Sequence, residues 1–554
     1  MTWGTIDANA GGAIRREDSV RLLSMFFVAA CIVCLWVYRR ALDGPFISDD
    51  SFFVTGLARD YPLDLKFVVD AFRPSGELKY EMMSYAPLYL LTSRIEWAAF
   101  GGDTLGYHVV NVIVHSANAT LLVALMRNEG IDAIWAVIGG AFYALHPANV
   151  EAVAWISQLR SLLAVSFALG SLIALRRRPG LAAGLFAASL LFKISAVFAL
   201  PIAAGLYWSA RNHPQREPVS LTWLCVWFAA FAFCAYPAFY STSLGTTPAF
   251  ESTAELFRNI AANGARYMLM ATTSIGVSAF HMPPPVRSWS NSWWIASVPI
   301  GLVLSWRVVD GVVHRRDEVA WWLGAGTAFM MVSQIFPFYF VVADRYLYFI
   351  LPGLLVASLL WWGDIKRLVG RRFEALQSRV PLAGLGVRVA IVLLLVLFAV
   401  RSGERAELWK NEDSLTFESA INYPAGATGN LVRGLQLLGK GDLDGAFPEL
   451  REVVNSGHHQ YIDLFALPGL APYLQDKRIV RLRHRVARLT IEQFEGDRAL
   501  TQHQMRSVGS AHFYIGDYDS AITVLEDALR RGGPHREAIL ADLELIRRTQ
   551  RDRG

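Results

Sequence analysis

This sequence is short of charge. Of its 554 residues only 18% are Asp, Glu, Lys or Arg and 54% are hydrophobic, against about 25% charged in an ordinary soluble domain. A soluble protein is thereby excluded for most of the length. The deficit is confined to residues 1–402, where long apolar runs follow one another; residues 403–554 have an ordinary soluble composition. Cysteine is scarce as well. Cys31, Cys34, Cys225 and Cys234 all lie inside apolar runs and 403–554 contains none, which excludes a disulfide-built C-terminal domain and leaves its redox compartment unread. Cys31-x-x-Cys34 has a redox or metal spacing, but it sits in mid-run without partners, where Cys packs as a small hydrophobe. The net charge of +5 does not point to nucleic acid; the positions of the positive charges carry the information.

The apolar runs are long enough to span a bilayer, which takes about 20 residues. They fall at 21–38, 106–127, 131–147, 151–175, 219–241, 292–313, 317–340, 345–363 and 385–402, and a longer run at 180–208 holds Lys193 and Pro201 in its middle. The first is no cleavable signal, since no small-residue cleavage site follows it. Cytoplasmic loops carry the excess of Lys and Arg. Arg15/Arg16, Arg176–Arg178, Arg211/Arg216, Arg315/Arg316 and Lys366–Arg372 can share one side only if 180–208 crosses twice as two short helices, with Lys193 near the far turn. Arg39/Arg40 is the one exception. The expectation is about eleven spans, with the N-terminus cytoplasmic and the C-terminus outside. Two outer loops, 41–105 and 242–291, contain amphipathic or semi-apolar stretches at 63–72, 88–100 and 262–280 that lie on the membrane or re-enter it.

Ionisable residues inside a membrane cost about 2.5–3.5 kcal/mol each, so each is a site candidate. Asp49 and Asp50 follow the first span between aromatics. A carboxylate at that surface can take a proton from an acceptor hydroxyl, or an Asp can cap a helix, and the two neighbours can divide these roles. His108, Asn111, His115 and Asn118 recur on one helical face. The two histidines stand about 10 Å apart along the axis, too far for one zinc ion, so the stripe reads as interhelical hydrogen bonding or as substrate contact. His146 and Glu151 join a Pro turn, and Glu151 or another carboxylate is expected to face Arg160 in the next helix. Lys193 and Arg345, with Asp344 and Tyr346 beside the latter, are assigned to the face that holds Asp49. Two cations beside a carboxylate suit a phosphate leaving group; a local Asp344–Arg345 ion pair is the plainer alternative.

In the C-terminal part, Asn430–Ala446 and 507–530 share one pattern: a small residue, a Gly-Asp turn, then Ala in a second helix. That fits the tetratricopeptide (TPR) period, with 465–490 as a degenerate unit, and such units stack into an α-solenoid with a concave face.

Ser84-Tyr-Ala-Pro-Leu88, Gly106-Tyr-His-Val-Val-Asn111 with His115, His146-Pro with Glu151-Ala-Val-Ala-Trp-Ile-Ser-Gln-Leu-Arg160, Ala343-Asp-Arg-Tyr-Leu-Tyr348 and Trp409-Lys-Asn-Glu-Asp-Ser-Leu415 occur in this order. Together they resemble the transmembrane-and-TPR-containing O-mannosyltransferases and their bacterial relatives, within the GT-C superfamily of integral membrane glycosyltransferases. Two segments depart from the family pattern: Ser-Lys-Glu reads Phe192-Lys193-Ile194, and Ala86 stands where the family has Arg.

The resemblance implies an all-α polytopic fold, a GT-C-like domain at 1–402 and an extracytoplasmic TPR-like domain at 403–554, in a bacterial inner (plasma) membrane. It implies inverting transfer of a sugar, commonly mannose, from a polyprenyl-phosphate donor to a hydroxyl of a protein or glycan acceptor. An acidic residue of the first outer loop acts as base, which maps onto Asp49 or Asp50. Neither metal nor other cofactor is expected; the lipid-linked sugar is a substrate. Partners would be membrane lipids and a protein docked on the repeats. The alternatives are a GT-C enzyme modifying glycolipid or polysaccharide, and a non-catalytic anchor presenting the repeats.

Overall fold

The structure is a computed structural model. It describes the chain except residues 1–7, 51–52, 59–60, 75–77, 79–83, 211–216, 241–249, 251, 336–339, 380, 456–464, 466–467, 495–499, 501, 532–534 and 554, and the side chains of 8–17, 57–58, 239–240, 366–385 and 553 are likewise outside the described set. Among the expected loop charges, Arg211, Arg216 and the side chains of Arg15, Arg16 and 366–372 fall outside it.

Every regular element among the described residues is helical. The first stretch runs α1 (Ala8–Tyr38), α2 (Leu65–Phe72), α3 (Pro87–Phe100), α4 (Thr104–Asn128), α5 (Ala133–Leu145), α6 (Val150–Ala154) and α7 (Leu159–Ala174). Then come α8 (Pro179–Phe192), α9 (Ala199–Ser209), α10 (Leu221–Tyr240), α11 (Thr253–Thr273), α12 (Ser292–Val313), α13 (Glu318–Met330), α14 (Asp344–Arg379) and α15 (Pro381–Leu408). Among the described residues seven segments are long and apolar enough to cross a membrane, in α1, α4, α7, α10, α12, α14 and α15; α5 with the segment Pro147–Ala154, bent by 49°, makes an eighth if taken as one span. The other expected spans are helices of 14, 11 and 13 residues, α8, α9 and α13.

The run 180–208 is two short helices that reverse direction. Arg177, ahead of α8, and Glu217, after α9, lie 3.9 Å apart, so both open ends meet. At the closed end Lys193 Nζ donates to Ser161 Oγ at 2.8 Å. Helix α9 presses on α13 where Gly205 lies against Ala320, and a Cβ on Gly205 would stand 2.5 Å from the Ala320 Cα.

The two ends of the bundle carry different chemistry. Asp344 opens α14, and Asp364 lies 20 residues on, about 30 Å along the axis, the thickness of the hydrocarbon. At the Asp364 end Arg307 bridges Asp310 at 3.0 Å and Asp364 at 3.0 Å; Arg316 also meets Asp364. At the Asp344 end lie the long connections 39–64 and 274–291. There Arg40, the exception to the charge rule, pairs with Glu407 at 2.7 Å. The amphipathic α2 is capped by Asp64, whose carboxylate accepts from the Phe67 amide at 2.7 Å; it buries Phe67 and Ala71 and leaves Leu65 and Val69 exposed.

Helices α16 (Glu412–Asn422), α17 (Ala427–Gly439), α18 (Leu443–Asn455), α19 (Lys477–Phe494), α20 (Gln502–Ile515), α21 (Tyr518–Arg531) and α22 (Arg536–Arg553) complete the chain. The pairs α17/α18 and α20/α21 repeat one geometry. Gly434 and Gly509 each seat a leucine of the following helix, Leu450 and Leu525. Gly441 and Gly516 make the turn at φ +78° and +87°, which glycine adopts without steric cost. Ala446 and Ala521 are fully buried. The segment 465–490, expected as a degenerate unit, supplies a short turn of helix at Pro468–Tyr473 and then α19, which packs on α20.

Candidate active site

Asp49 and Asp50 lie in different surroundings. Ser48 takes a left-handed φ of +51°, uncommon for a non-glycine residue, and its amide donates to Glu412. Beyond this bend Asp50 is fully buried. Its Oδ1 accepts from the Ser157 amide at 2.7 Å and its Oδ2 from the Ile47 amide at 3.3 Å. Burial pushes the Asp50 carboxyl up to about 7, against the lowering effect of these two bonds. Asp49 is half-buried. No hydrogen bond or ion pair reaches its carboxylate among the described residues, and it lies within electrostatic range of Arg345 and Tyr89.

Behind it stand three cations. Arg345 is held twice by Glu151: one carboxylate oxygen accepts from the Arg345 backbone amide at 2.7 Å and the other meets the guanidinium. The guanidinium also rests against Trp155 at 5.5 Å, Phe340 at 4.5 Å and Tyr346 at 5.0 Å. Arg160 lies over Phe53 at 5.2 Å and Tyr89 at 5.9 Å, and its buried Nε has no hydrogen-bond partner. Lys193, besides its bond to Ser161, lies 5.3 Å from the Phe349 ring and within electrostatic range of Arg160, Arg345 and Glu151. The expected Glu151–Arg160 pairing is therefore corrected. Glu151 belongs to Arg345, and among the described residues no carboxylate pairs with Arg160 or Lys193. The helix break at Trp155 and the turn Ile156–Gln158 lie between Glu151 and Arg160, so the straight-helix spacing does not apply.

Asp344 does not pair with its neighbour Arg345 either. Its carboxylate accepts from His281 Nε2 at 2.7 Å, Arg405 Nη2 at 2.8 Å and the Ser278 amide at 3.1 Å. It ties the connection 274–291 and the end of α15 to the start of α14. Arg405 reaches on to Glu418 at 2.9 Å, which anchors α16 beside the site, and Trp409 stacks on Trp155 with centroids 5.5 Å apart.

The polar stripe on α4 is hydrogen-bonded to helix breaks. Asn111 donates to the carbonyls of Val153 and Trp155, both at 3.2 Å. His115 sits 3.0 Å from the Tyr348 hydroxyl and 3.0 Å from the Ala144 carbonyl; Asn118 donates to the same Tyr348 hydroxyl and to the Leu162 carbonyl, each at 2.9 Å. His108 meets the Gly44 carbonyl at 3.3 Å. His146 caps the turn at 147–149, its Nδ1 accepting from the Ala148 amide at 3.2 Å. These residues brace the breaks, and among the described residues none of them hydrogen-bonds the Asp49 carboxylate.

Several members were not picked out from sequence. Ser161, His281 and Arg405 carry no local signal, because each finds its partner across the fold, and Tyr348, at the end of the Ala343–Tyr348 motif, was not read as the partner of His115 and Asn118. Glu96 was detectable as an acid in the semi-apolar α3; it is buried, and burial together with the Asp50 charge pushes its carboxyl up to about 8.

Fold and site define a multi-pass helical membrane protein in which, among the described residues, Arg160 and Lys193 have no carboxylate partner and the Asp49 carboxylate has no hydrogen bond or ion pair. No protein-family model matches the chain. Over short stretches it is similar to proteins named protein O-mannosyl-transferase. Tmtc2 of Xenopus laevis is 32% identical over 125 residues, 22% of this chain and 15% of the relative. Tmtc1 of Drosophila melanogaster is 43% identical over 72 residues, 13% and 8%. TMTC4 of Homo sapiens is 28% identical over 162 residues, 26% and 22%. The similarity thus spans less than a quarter of the length of these relatives.

Proposed function

We propose that this chain is an inverting glycosyltransferase of GT-C type that moves a sugar, mannose by analogy with its relatives, from a polyprenyl-phosphate donor to a hydroxyl of a protein acceptor outside the cytoplasm. The observation that carries this is the pair Arg160 and Lys193, which no carboxylate pairs among the described residues. Both are half-buried; a cation held partly out of water without a counter-charge is costly, and an arriving phosphate removes that cost while gaining charge-assisted hydrogen bonds. Arg345, aimed by Glu151, supplies a third cation.

The chemistry follows from the arrangement. Asp49 takes the proton of the acceptor hydroxyl. The acceptor oxygen bonds to the anomeric carbon from the face opposite the phosphate. The carbon–oxygen bond to phosphate breaks, and the electron pair leaves on a phosphate stabilised by Arg160, Lys193 and Arg345. Asp50 positions Asp49 by fixing the loop to the Ser157 amide. The eleven-crossing topology, with α8, α9 and α13 as short crossings, leaves the site and the TPR-like C-terminal helices on the extracytoplasmic side, in the plasma membrane of a bacterium.

The test is transfer or release of sugar from polyprenyl-phosphate-mannose by the purified full chain, compared with Asp49→Asn. Turnover that the variant loses supports donor and base together. Absence of turnover with mannose and with other lipid-linked sugars would refute the enzyme and favour the anchor.

A further inference from the structure

A second cation stands apart from the site described, on the far side of Asp344. Arg266, on α11, is 7% exposed. Its Nη1 donates to Asn263 Oδ1 at 2.6 Å, and its guanidinium lies 5.1 Å from the Trp293 ring. No carboxylate pairs with it among the described residues, and the Asn263 Nδ2 beside it is buried without a hydrogen-bond partner. The guanidinium lines a recess of ≈ 120 Å³ whose other walls include Leu269, Ile275, Pro283, Trp293 and Tyr423. This is an apolar chamber with one buried, uncompensated positive charge.

Its place in the fold narrows the occupant. Trp293 stands at the start of a membrane-spanning helix, Ser292–Val313, beside Trp289 and Trp294, whose rings are 5.0 Å apart; tryptophans gather at headgroup depth. Farther along α12 lies a separate, larger groove of ≈ 380 Å³, walled by Met268 of α11 and by Pro299, Val303, Leu304, Trp322 and Trp361. From Trp293 to Leu304 the distance along α12 is about 16 Å, directed toward the bilayer centre. Charge is at the membrane surface and an apolar groove lies beneath it, on the same two helices.

We propose that this seam binds one anionic lipid, its phosphate against Arg266 and one hydrocarbon chain in the groove along α12. A soluble anion would use the recess and leave the groove idle. A neutral lipid would use the groove and leave the guanidinium unpaired. The lipid would brace α11 and α12 against Tyr423, whose hydroxyl is 2.8 Å from His281 Nδ1; His281 in turn holds Asp344, next to Arg345.

The experiment is lipid binding to the delipidated full chain, read by native mass spectrometry with phosphatidylglycerol, phosphatidylcholine and inorganic phosphate as probes. Phosphatidylglycerol should bind about fivefold more tightly than phosphatidylcholine, as one Lys or Arg contact to an anionic headgroup gives. Arg266→Gln should remove the preference and Arg266→Lys keep most of it, which separates lost charge from lost folding. Leu304→Trp, which fills the groove, should weaken both lipids, and Arg287→Gln, on the exposed surface nearby, should change neither. A preference that persists in Arg266→Gln overturns the site. Phosphate binding that depends on Arg266, without any preference between the lipids, overturns the lipid as occupant. None of these readouts involves sugar transfer, so the result stands or falls apart from the proposed activity.

Discussion

Glu151 holds Arg345 at two points, the backbone amide at 2.7 Å and the guanidinium, with both side chains almost fully buried. A carboxylate that binds both the main chain and the side chain of one residue fixes where that side chain can point. With both of its oxygens engaged by Arg345, Glu151 does not pair with Arg160.

Removing the clamp is therefore expected to do more than remove one ion pair. Glu151→Gln leaves a buried guanidinium uncompensated, a change that costs about 3–5 kcal/mol. Thermal unfolding in detergent should show a large fall in Tm, with transfer activity lost as well. A Tm near that of the wild type would mean that water or another carboxylate reaches Arg345, and the clamp would be incidental.

The two adjacent aspartates should separate cleanly. Asp49→Asn removes a carboxylate with no hydrogen-bond partner among the described residues, so Tm should hold while transfer falls by at least about 100-fold, the lower range for a general base. Asp50→Asn places an amide N–H against one of two backbone donors, and Tm should drop by an amount corresponding to about 1–3 kcal/mol. The reverse pattern would exchange the roles.

Sequence alone carried the reading up to this pair and no further. The apolar runs, the two short helices at 180–208 and the gathering of Asp49, Lys193 and Arg345 at one end of the bundle were legible because hydropathy and loop charge act through the chain's immediate surroundings. The choice between Asp49 and Asp50 was not. Adjacent residues point apart, and which one turns inward depends on the Ser157 amide 107 residues away. Glu151 was given to Arg160 for a similar reason. They are close in sequence, but the break at Trp155 redirects the chain between them, and Arg345 arrives from α14. Nothing in local composition announces a partner 194 residues distant.

Stability should also fall with rising pH across the acid-to-neutral range. Burial raises Asp50 to about 7 from an ordinary value of 3.8, and Glu96 to about 8 from 4.5. Between the unfolded and folded values the native state holds more protons, so raising pH favours unfolding. Stability is greatest below pH 4, as far as these two groups go, declines through pH 7 to 8 and levels off above. Glu96→Gln should flatten part of that slope and raise Tm at pH 8 relative to wild type. An unchanged slope in Glu96→Gln would show that its carboxyl is solvated.

Arg160→Gln and Lys193→Gln should each weaken use of the lipid-phosphate donor while leaving the fold intact. Neither takes part in an ion pair among the described residues, so deleting the charge relieves desolvation rather than exposing a partner. A lost charge-assisted hydrogen bond is worth about 1.5–3 kcal/mol, or about 10- to 150-fold in kcat/KM. Equal or raised Tm with that loss is the signature of a ligand-binding cation; a fall in Tm would make the two residues structural.

The repeated units at the C-terminus make a finer test, because the same substitution should have opposite effects in them. Alanine is about 1 kcal/mol better than glycine inside a helix. At Gly434 a Cβ would meet Leu450 Cδ2 at 3.1 Å and Cγ at 3.2 Å, which a shift of a few tenths of an ångström relieves. At Gly509 it would stand 2.6 Å from Leu525 Cγ and 2.7 Å from Cδ2. A branch point cannot swing away as a terminal methyl can, so the leucine or the helix must move. Overpacking of that kind costs about 1–3 kcal/mol, more than the propensity gain. Gly434→Ala is thus expected to be neutral or stabilising and Gly509→Ala destabilising, measured as resistance of the C-terminal helices to limited proteolysis in the full chain. Equal responses would mean that the close seat at Gly509 is not what holds α20 against α21.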